Sequence, residues 1–231
     1  MSRLFGVILS LAFLGSAAAG AKVFVFYPSL ARPLAIQDAL AKKCPGLEIT
    51  VFGRLTDLQA LVEREHPTAI VAQADVLKQF PAYLPKLQGL RKGSATEDFV
   101  LLSIDKPFDV AKVSTSSIGV VGMLDRREMD GFVAGLVSGA PHINRVTKVE
   151  DLLPLLIFQS VSAVLVSEAN MKEFRKKSQA NLVEVKLEKA KVGLVAAGVK
   201  DGASDAEKQV LPALKSLDAG TLAMLGVDAW K

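Results

Sequence analysis

Short apolar runs alternate with amphipathic helical segments along nearly the whole chain, and this alternation constrains the fold more than any other feature. The runs KVFVFY (22–27), LEITVF (47–52) and TAIVA (68–72) are rich in β-formers, and the two segments between them carry apolar residues at helical spacing. This pattern is typical of βαβ units and a largely parallel sheet. It predicts an α/β fold whose first three strands form one Rossmann-like half.

The same alternation restarts after a proline-punctuated stretch. DFVLLSI (98–104) is predicted to be a strand that ends at Asp105-Lys106-Pro107. Beyond it lie the strand-like runs SIGVVG (117–122) and SAVLVS (162–167), and KVGLVAAGV (191–199) is a strong return strand followed by helical segments. The proline favours a crossing into a second lobe near residue 105.

The first 21 residues have the three parts of a cleavable secretory signal. Arg3 supplies a positive charge, residues 4–14 form an apolar core and residues 15–21 are small. The core is too short to anchor the chain, since a span needs about 20 apolar residues. We expect maturation to leave Gly20 or Lys22 at the amino terminus.

Cys44 is the single cysteine, so no internal disulfide stabilises the chain. It lies far from the predicted cut, where a lipoprotein would need its acylated cysteine. No histidine is near it in the sequence, so we interpret it as a structural thiol. These observations predict a periplasmic protein that is not lipid-anchored.

The net charge is +4, with the charges scattered along the chain. Nucleic-acid binding requires clustered Lys and Arg, whereas a mild positive charge suits an anionic partner. His66 and His142 have no partners at ligand spacing, so we expect no metal site. The sequence also lacks a P-loop, a G-x-G-x-x-G and a G-x-S-x-G, so we expect no cofactor and no catalytic centre.

Taken together, the predicted signal, the strand directly after it, the crossing near residue 106, the second α/β unit and the return strand resemble type II periplasmic solute-binding proteins. The segment FQSVSAVLVSEANMKEF (158–174) resembles a turn-and-strand pattern of the phosphate- and phosphonate-type branch, which serves ABC importers. The resemblance covers essentially the whole mature chain.

The resemblance implies two lobes that close over a ligand by bending at two hinge strands. One lobe would contain residues 22–105 and 189–231, and the other residues 106–188. The hinges would lie near residues 105–112 and 186–191.

Candidate ligand residues follow from the rule that ligands bind beyond the carboxyl ends of strands, where helix N-termini favour anions. Arg32 has the geometry to pair with a carboxylate or phosphate, although it is also typical of a solvated surface turn. Arg126 is a cation at the amino end of its helix, where the helix dipole disfavours positive charge. A bound anion would offset this unfavourable interaction, and so would the flanking acidic residues. The remaining candidates are Tyr27, Ser29, Gln73 and Asp125, with Gln159 and Ser160 carried over from the family pattern.

The serine-rich run at residues 114–117 precedes its strand, so we expect it at the opposite end of the sheet. The leading hypothesis is a monomeric periplasmic receptor that captures a small anionic solute for a membrane permease by hinge closure. The alternative is an exported signalling or scaffold protein of the same fold with a reduced cleft. An enzyme on this fold ranks third, because the predicted export and the lone Cys44 argue against the cytosolic transferases that share the fold.

Overall fold

The computed structural model describes residues 20–231, so the signal predicted over residues 1–21 lies almost entirely outside the described residues. The strands are β1 (Ala21–Phe26), β2 (Leu47–Phe52), β3 (Ala69–Gln73), β4 (Tyr83–Leu90), β5 (Thr96–Ile104), β6 (Ser117–Val121), β7 (His142–Val146), β8 (Ala163–Ser167), β9 (Leu182–Gly193), β10 (Val195–Lys200) and β11 (Ala229–Trp230). The helices are α1 (Pro33–Lys43), α2 (Leu55–Glu65), α3 (Ala74–Leu77), α4 (Arg126–Val137), α5 (Leu152–Ile157), α6 (Glu168–Lys177), α7 (Ser204–Lys215) and α8 (Ala219–Met224). Within the described part of the chain, no helix combines the length and apolarity needed to cross a bilayer.

Two sheets define two lobes and confirm the predicted α/β class. The first sheet has the order β11-β4-β10-β3-β1-β2, and the second has the order β7-β6-β8-β5-β9. Three neighbouring strands are parallel in each sheet, β2-β1-β3 in the first and β7-β6-β8 in the second. Antiparallel strands continue each sheet beyond these three.

The chain passes between the two lobes twice. β5 enters the second sheet and pairs antiparallel with β8, whereas β10 returns to the first sheet and pairs antiparallel with β3. The chain therefore crosses at residues 91–95 and again at residue 194, and the hinges predicted at residues 105–112 and 186–191 are wrong. The first lobe consists of residues 20–90 and 195–231, and the second of residues 96–193.

The first crossing is a tight hairpin turn rather than a proline break. Lys92 and Gly93 both have positive φ, at 50° and 77°. The Arg91 N–H donates to the Ser94 carbonyl at 2.8 Å, and the Ser94 N–H donates back at 3.0 Å. Two residues with positive φ between paired strands match the twist of a hairpin. Pro107, which suggested the later crossing, follows β5 inside the second lobe.

The hydrophobic core has two parts. Val23 and Val25 of β1 face one cluster with α1, α7 and α8, while Phe24 and Phe26 face the other with α2 and α3. β1 is thus buried on both faces, which explains its nearly continuous apolar sequence. The second of these clusters continues without a break into the core of the second lobe. The two lobes are therefore packed against each other.

Candidate functional site

The cleft between the lobes lies where the sequence predicted it, beyond the carboxyl ends of the parallel strands. Pro28 follows β1 and Gln73 ends β3 in the first lobe, and both face a small cavity. Val121 and Ser167, the last residues of β6 and β8, face the same cavity from the second lobe. We call this the inner cavity.

The inner cavity is nearly filled by the protein. Its volume is about 20 Å³, and most of its walls are apolar side chains of the second lobe. Binding sites for small molecules are typically ~300–1,000 Å³ in volume. Its polar wall residues are Gln73, Glu97, Ser167 and Asn170. The inner cavity has room for water and is far smaller than a small-molecule site.

A larger cavity, the outer cavity, opens beside it at the mouth of the cleft. Its volume is about 460 Å³, and Pro28 lines both cavities. The first lobe contributes residues 27–34 and Gly53, and the second contributes residues 147–150. The predicted residues Tyr27, Ser29 and Arg32 thus lie together at one cavity that both lobes bound.

Two basic side chains face the outer cavity. Arg32 is the residue directly before α1, and among the described residues it has no acidic partner within 4.0 Å. Lys148 approaches Glu150 only to 3.9 Å. Ser29 accepts a hydrogen bond from the Ala31 N–H at 3.2 Å, which shapes the turn that leads to Arg32. Glu150 also lines the outer cavity, so the charged side chains around it, Arg32, Lys148 and Glu150, give one net positive charge.

Tyr27 lines the outer cavity, but its hydroxyl is turned towards the hinge. A methyl group placed on Gly226 would overlap that hydroxyl and would lie 2.7 Å from an Arg91 Nη2 atom. Burial raises the pKa of Tyr27 to about 12; the nearby Glu97 adds to the rise, and Arg91 opposes it. Tyr27 therefore stays neutral and acts as a wall of the cavity.

A buried ion pair closes the hinge side of the cleft. Arg91 Nη1 donates to Glu97 Oε2 at 2.9 Å, and only 5% of the Glu97 side chain is exposed. Ser167 lies beside Glu97 and favours its ionised form, and the Ser167 Oγ accepts a hydrogen bond from the Asn170 N–H at 3.3 Å. Burial raises the pKa of Glu97, although Arg91 and Ser167 act in the opposite direction.

Asp125 joins the lobes instead of lining a cavity. Gln59 Nε2 of α2 donates to Asp125 Oδ1 at 3.2 Å, and Gln79 Nε2 donates to the Met123 carbonyl at 3.3 Å. Arg126 is exposed, and its carbonyl accepts a hydrogen bond from Arg145 at 3.1 Å. Asp125 therefore belongs to the contact between the lobes, and Arg126 belongs to the surface.

Gln159 and Ser160 lie at the far end of the second lobe, so their assignment to the cleft is wrong. They line a separate cavity of about 440 Å³ with Ser117 and Ser162. Both residues precede β8, and the amino ends of parallel strands point away from the cleft. The same cavity includes Ser117 at the start of β6, as expected for the serine-rich run.

Sequence reasoning missed Glu97 and Lys148. Glu97 lies on the same face of β5 as Phe99, Leu101 and Ser103, all of which are buried. An acidic residue among these buried positions was the sequence signal that could have identified it. Lys148 lies in the loop after β7, which meets the same strand-end rule that found Arg32. Within residues 20–231, no group of three or more His, Cys, Asp or Glu side chains is placed to hold a metal ion.

No protein-family model and no curated protein matches this chain. Several solved structures do match it. A double mutant of the VFT2 domain of BvgS from Bordetella pertussis superposes with a TM-score of 0.60 at 12% identity, over 90% of this chain and 92% of that one. The arginine-bound ArgBP from T. maritima gives a TM-score of 0.57 at 12% identity, over 85% and 96%. The substrate-binding protein AbpA from Streptococcus pneumoniae, bound to L-arginine, gives 0.59 at 16% identity, over 89% and 92%.

Two of the three structures are of arginine-bound proteins, so the comparisons give no support to the phosphate and phosphonate branch. At identities this low the likeness establishes the fold alone. The chain has the two-lobed type II, or Venus flytrap, fold of periplasmic binding proteins.

Proposed function

We propose that the chain is an extracytoplasmic receptor that closes its two lobes over a small anionic solute at the mouth of the cleft. The outer cavity carries this proposal, because its volume of about 460 Å³ falls in the range of small-molecule sites and both lobes line it. A ligand that contacts both lobes binds the closed form more tightly than the open form. Such a receptor needs no catalytic residue.

The charge of the outer cavity is the basis for an anionic solute. Arg32 and Lys148 approach it from opposite lobes, so an anion between them would be attracted by both. The same two charges would repel the guanidinium of L-arginine, the ligand of AbpA. We extend the proposal to delivery of the solute to a membrane permease, in keeping with the substrate-binding proteins of the same fold.

Thermal melting of the mature protein tests the proposal. The panel contains phosphate, a phosphonate, a dicarboxylate, L-arginine and a neutral sugar. The recognised anion should stabilise the protein by about 2.7 kcal/mol at a hundredfold excess over its Kd. Arg32→Ala should abolish that shift, whereas Arg126→Ala, the matched exposed control, should retain it. A shift with L-arginine and none with the anions would contradict an anionic solute.

A second candidate function is favoured by the contact between the lobes. The inner cavity of about 20 Å³ and the hydrogen bonds from Gln59 and Gln79 to the second lobe form a closed cleft made by the protein itself. A domain of this kind would act as an exported signalling or scaffold module. BvgS contributes a periplasmic domain among the similar structures.

The two candidate functions differ in whether the cleft is open when no ligand is bound. For a solute receptor, small-angle scattering should give a larger radius of gyration without ligand than with it. For a signalling or scaffold module, the radius should match the closed form throughout, with no melting shift for any compound in the panel.

A further inference from the structure

Gln73 presents a buried acceptor to the inner cavity. It is the last residue of β3 and is only 3% exposed. Within the described residues, its side-chain oxygen Oε1 is buried without a hydrogen-bond partner. A buried amide oxygen without a partner is rare in native proteins, because burial removes the water that would otherwise bind it. The oxygen therefore indicates a donor that is not part of the chain.

The size of the inner cavity limits what that donor can be. The cavity has room for water, but its volume of about 20 Å³ is far below the ~300–1,000 Å³ of small-molecule sites. A buried water also needs two to four polar partners. Glu97, Ser167 and Asn170 supply such groups from the second lobe, opposite Gln73 from the first.

We infer that one ordered water occupies the inner cavity, donates a hydrogen bond to Gln73 Oε1 and bonds to polar groups of the second lobe. Its partners come from both lobes, so the site exists only in the closed form. The water thus links the lobes at the base of the cleft, beside the direct bonds from Gln59 and Gln79. A solute in the outer cavity is held above it, and the inference does not depend on which solute binds.

The substitution Gln73→Met tests the inference, because methionine keeps the length of the side chain and removes the acceptor. If the water bridges the lobes, its loss should lower the melting temperature by about 2–4 °C, the shift expected for one hydrogen bond in a domain of this size. If the oxygen has no donor, its removal should raise the melting temperature. The sign of the shift therefore distinguishes the two cases.

Magnetic relaxation dispersion of water ²H in solution provides the second measurement, since it counts long-lived internal waters. The count should fall by one in Gln73→Met. It should not change in Gln209→Met, a control that loses a hydrogen bond to the Gly46 carbonyl outside the cleft. An unchanged count in Gln73→Met, or a rise in its melting temperature, would overturn the inference.

Discussion

The inner and outer cavities of the cleft share Pro28 but are built differently. Strand ends and helix sides form the inner cavity, and its apolar walls leave about 20 Å³. Loops form the outer cavity, and Arg32 and Lys148 face about 460 Å³. Strand ends are fixed by hydrogen bonding and packing, whereas loops can vary without disturbing the sheets. The comparison suggests that the strand ends hold the lobes together and that the loops select the solute.

The largest effect is expected at Gly226, which packs against Tyr27, a wall residue of the outer cavity, and against Arg91. Gly226→Ala should cost about 4 kcal/mol of unfolding free energy, because φ is +74° and the new methyl group overlaps the Tyr27 hydroxyl. Urea unfolding measures the loss. Gly202→Ala is the matched control: φ is +79° and nothing lies within 4 Å, so it should cost only about 1–2 kcal/mol. Equal losses in the two variants would show that Tyr27 is not packed as described.

A smaller effect is expected from Arg91→Met, which leaves Glu97 buried without its partner. The loss should be about 2–3 kcal/mol at pH 7, below that of a fully buried pair because 28% of the Arg91 side chain is exposed. Arg175→Met, which breaks a more exposed pair with Glu184, should cost less than about 1 kcal/mol.

The pH dependence of Arg91→Met has a definite sign. Because burial raises the pKa of Glu97 in the folded protein, its contribution to stability is full below the ordinary carboxyl pKa and is lost as the pH rises through the raised value. Removing Arg91 raises that pKa further. Urea unfolding at several pH values should therefore give a gap between wild type and variant that is constant at low pH and widens as the pH rises above the raised pKa of Glu97 in the wild type. A gap independent of pH would argue against an ionised Glu97 at the hinge.

The smallest effect is expected at the far end of the second lobe. Replacing Gln159 and Ser160 together by alanine should change the unfolding free energy by less than about 0.5 kcal/mol, since both are exposed. Any solute-induced melting shift should stay the same. A lost shift would return these residues to the binding site and would contradict the division of the cleft described above.

The sequence predicted the fold class, because apolar alternation depends only on which faces are buried. It misplaced the crossings because proline was taken as the break. Pro81 and Pro85 made residues 83–90 resemble a loop, yet β4 forms there, and a register shift at Ala197/Gly198 lies opposite Pro85. The strand-end rule selected Arg32 and Gln73, which line the outer and the inner cavity respectively. The rule did not select Glu97, because Glu97 lies near the start of β5, the antiparallel strand that follows the first crossing.

The late position of β10 in the chain also affects the order in which the protein can fold during synthesis. β10 lies between β3 and β4 in the first sheet, yet residues 195–200 are made after the whole second lobe. Until they emerge, β3 has an open edge and β4 has no neighbour to join it to the sheet. An open edge is a site for wrong pairing, and contacts between distant residues slow folding. The first lobe to be synthesised is therefore the last to be completed, and nascent chains that stop before residue 195 should depend on chaperones.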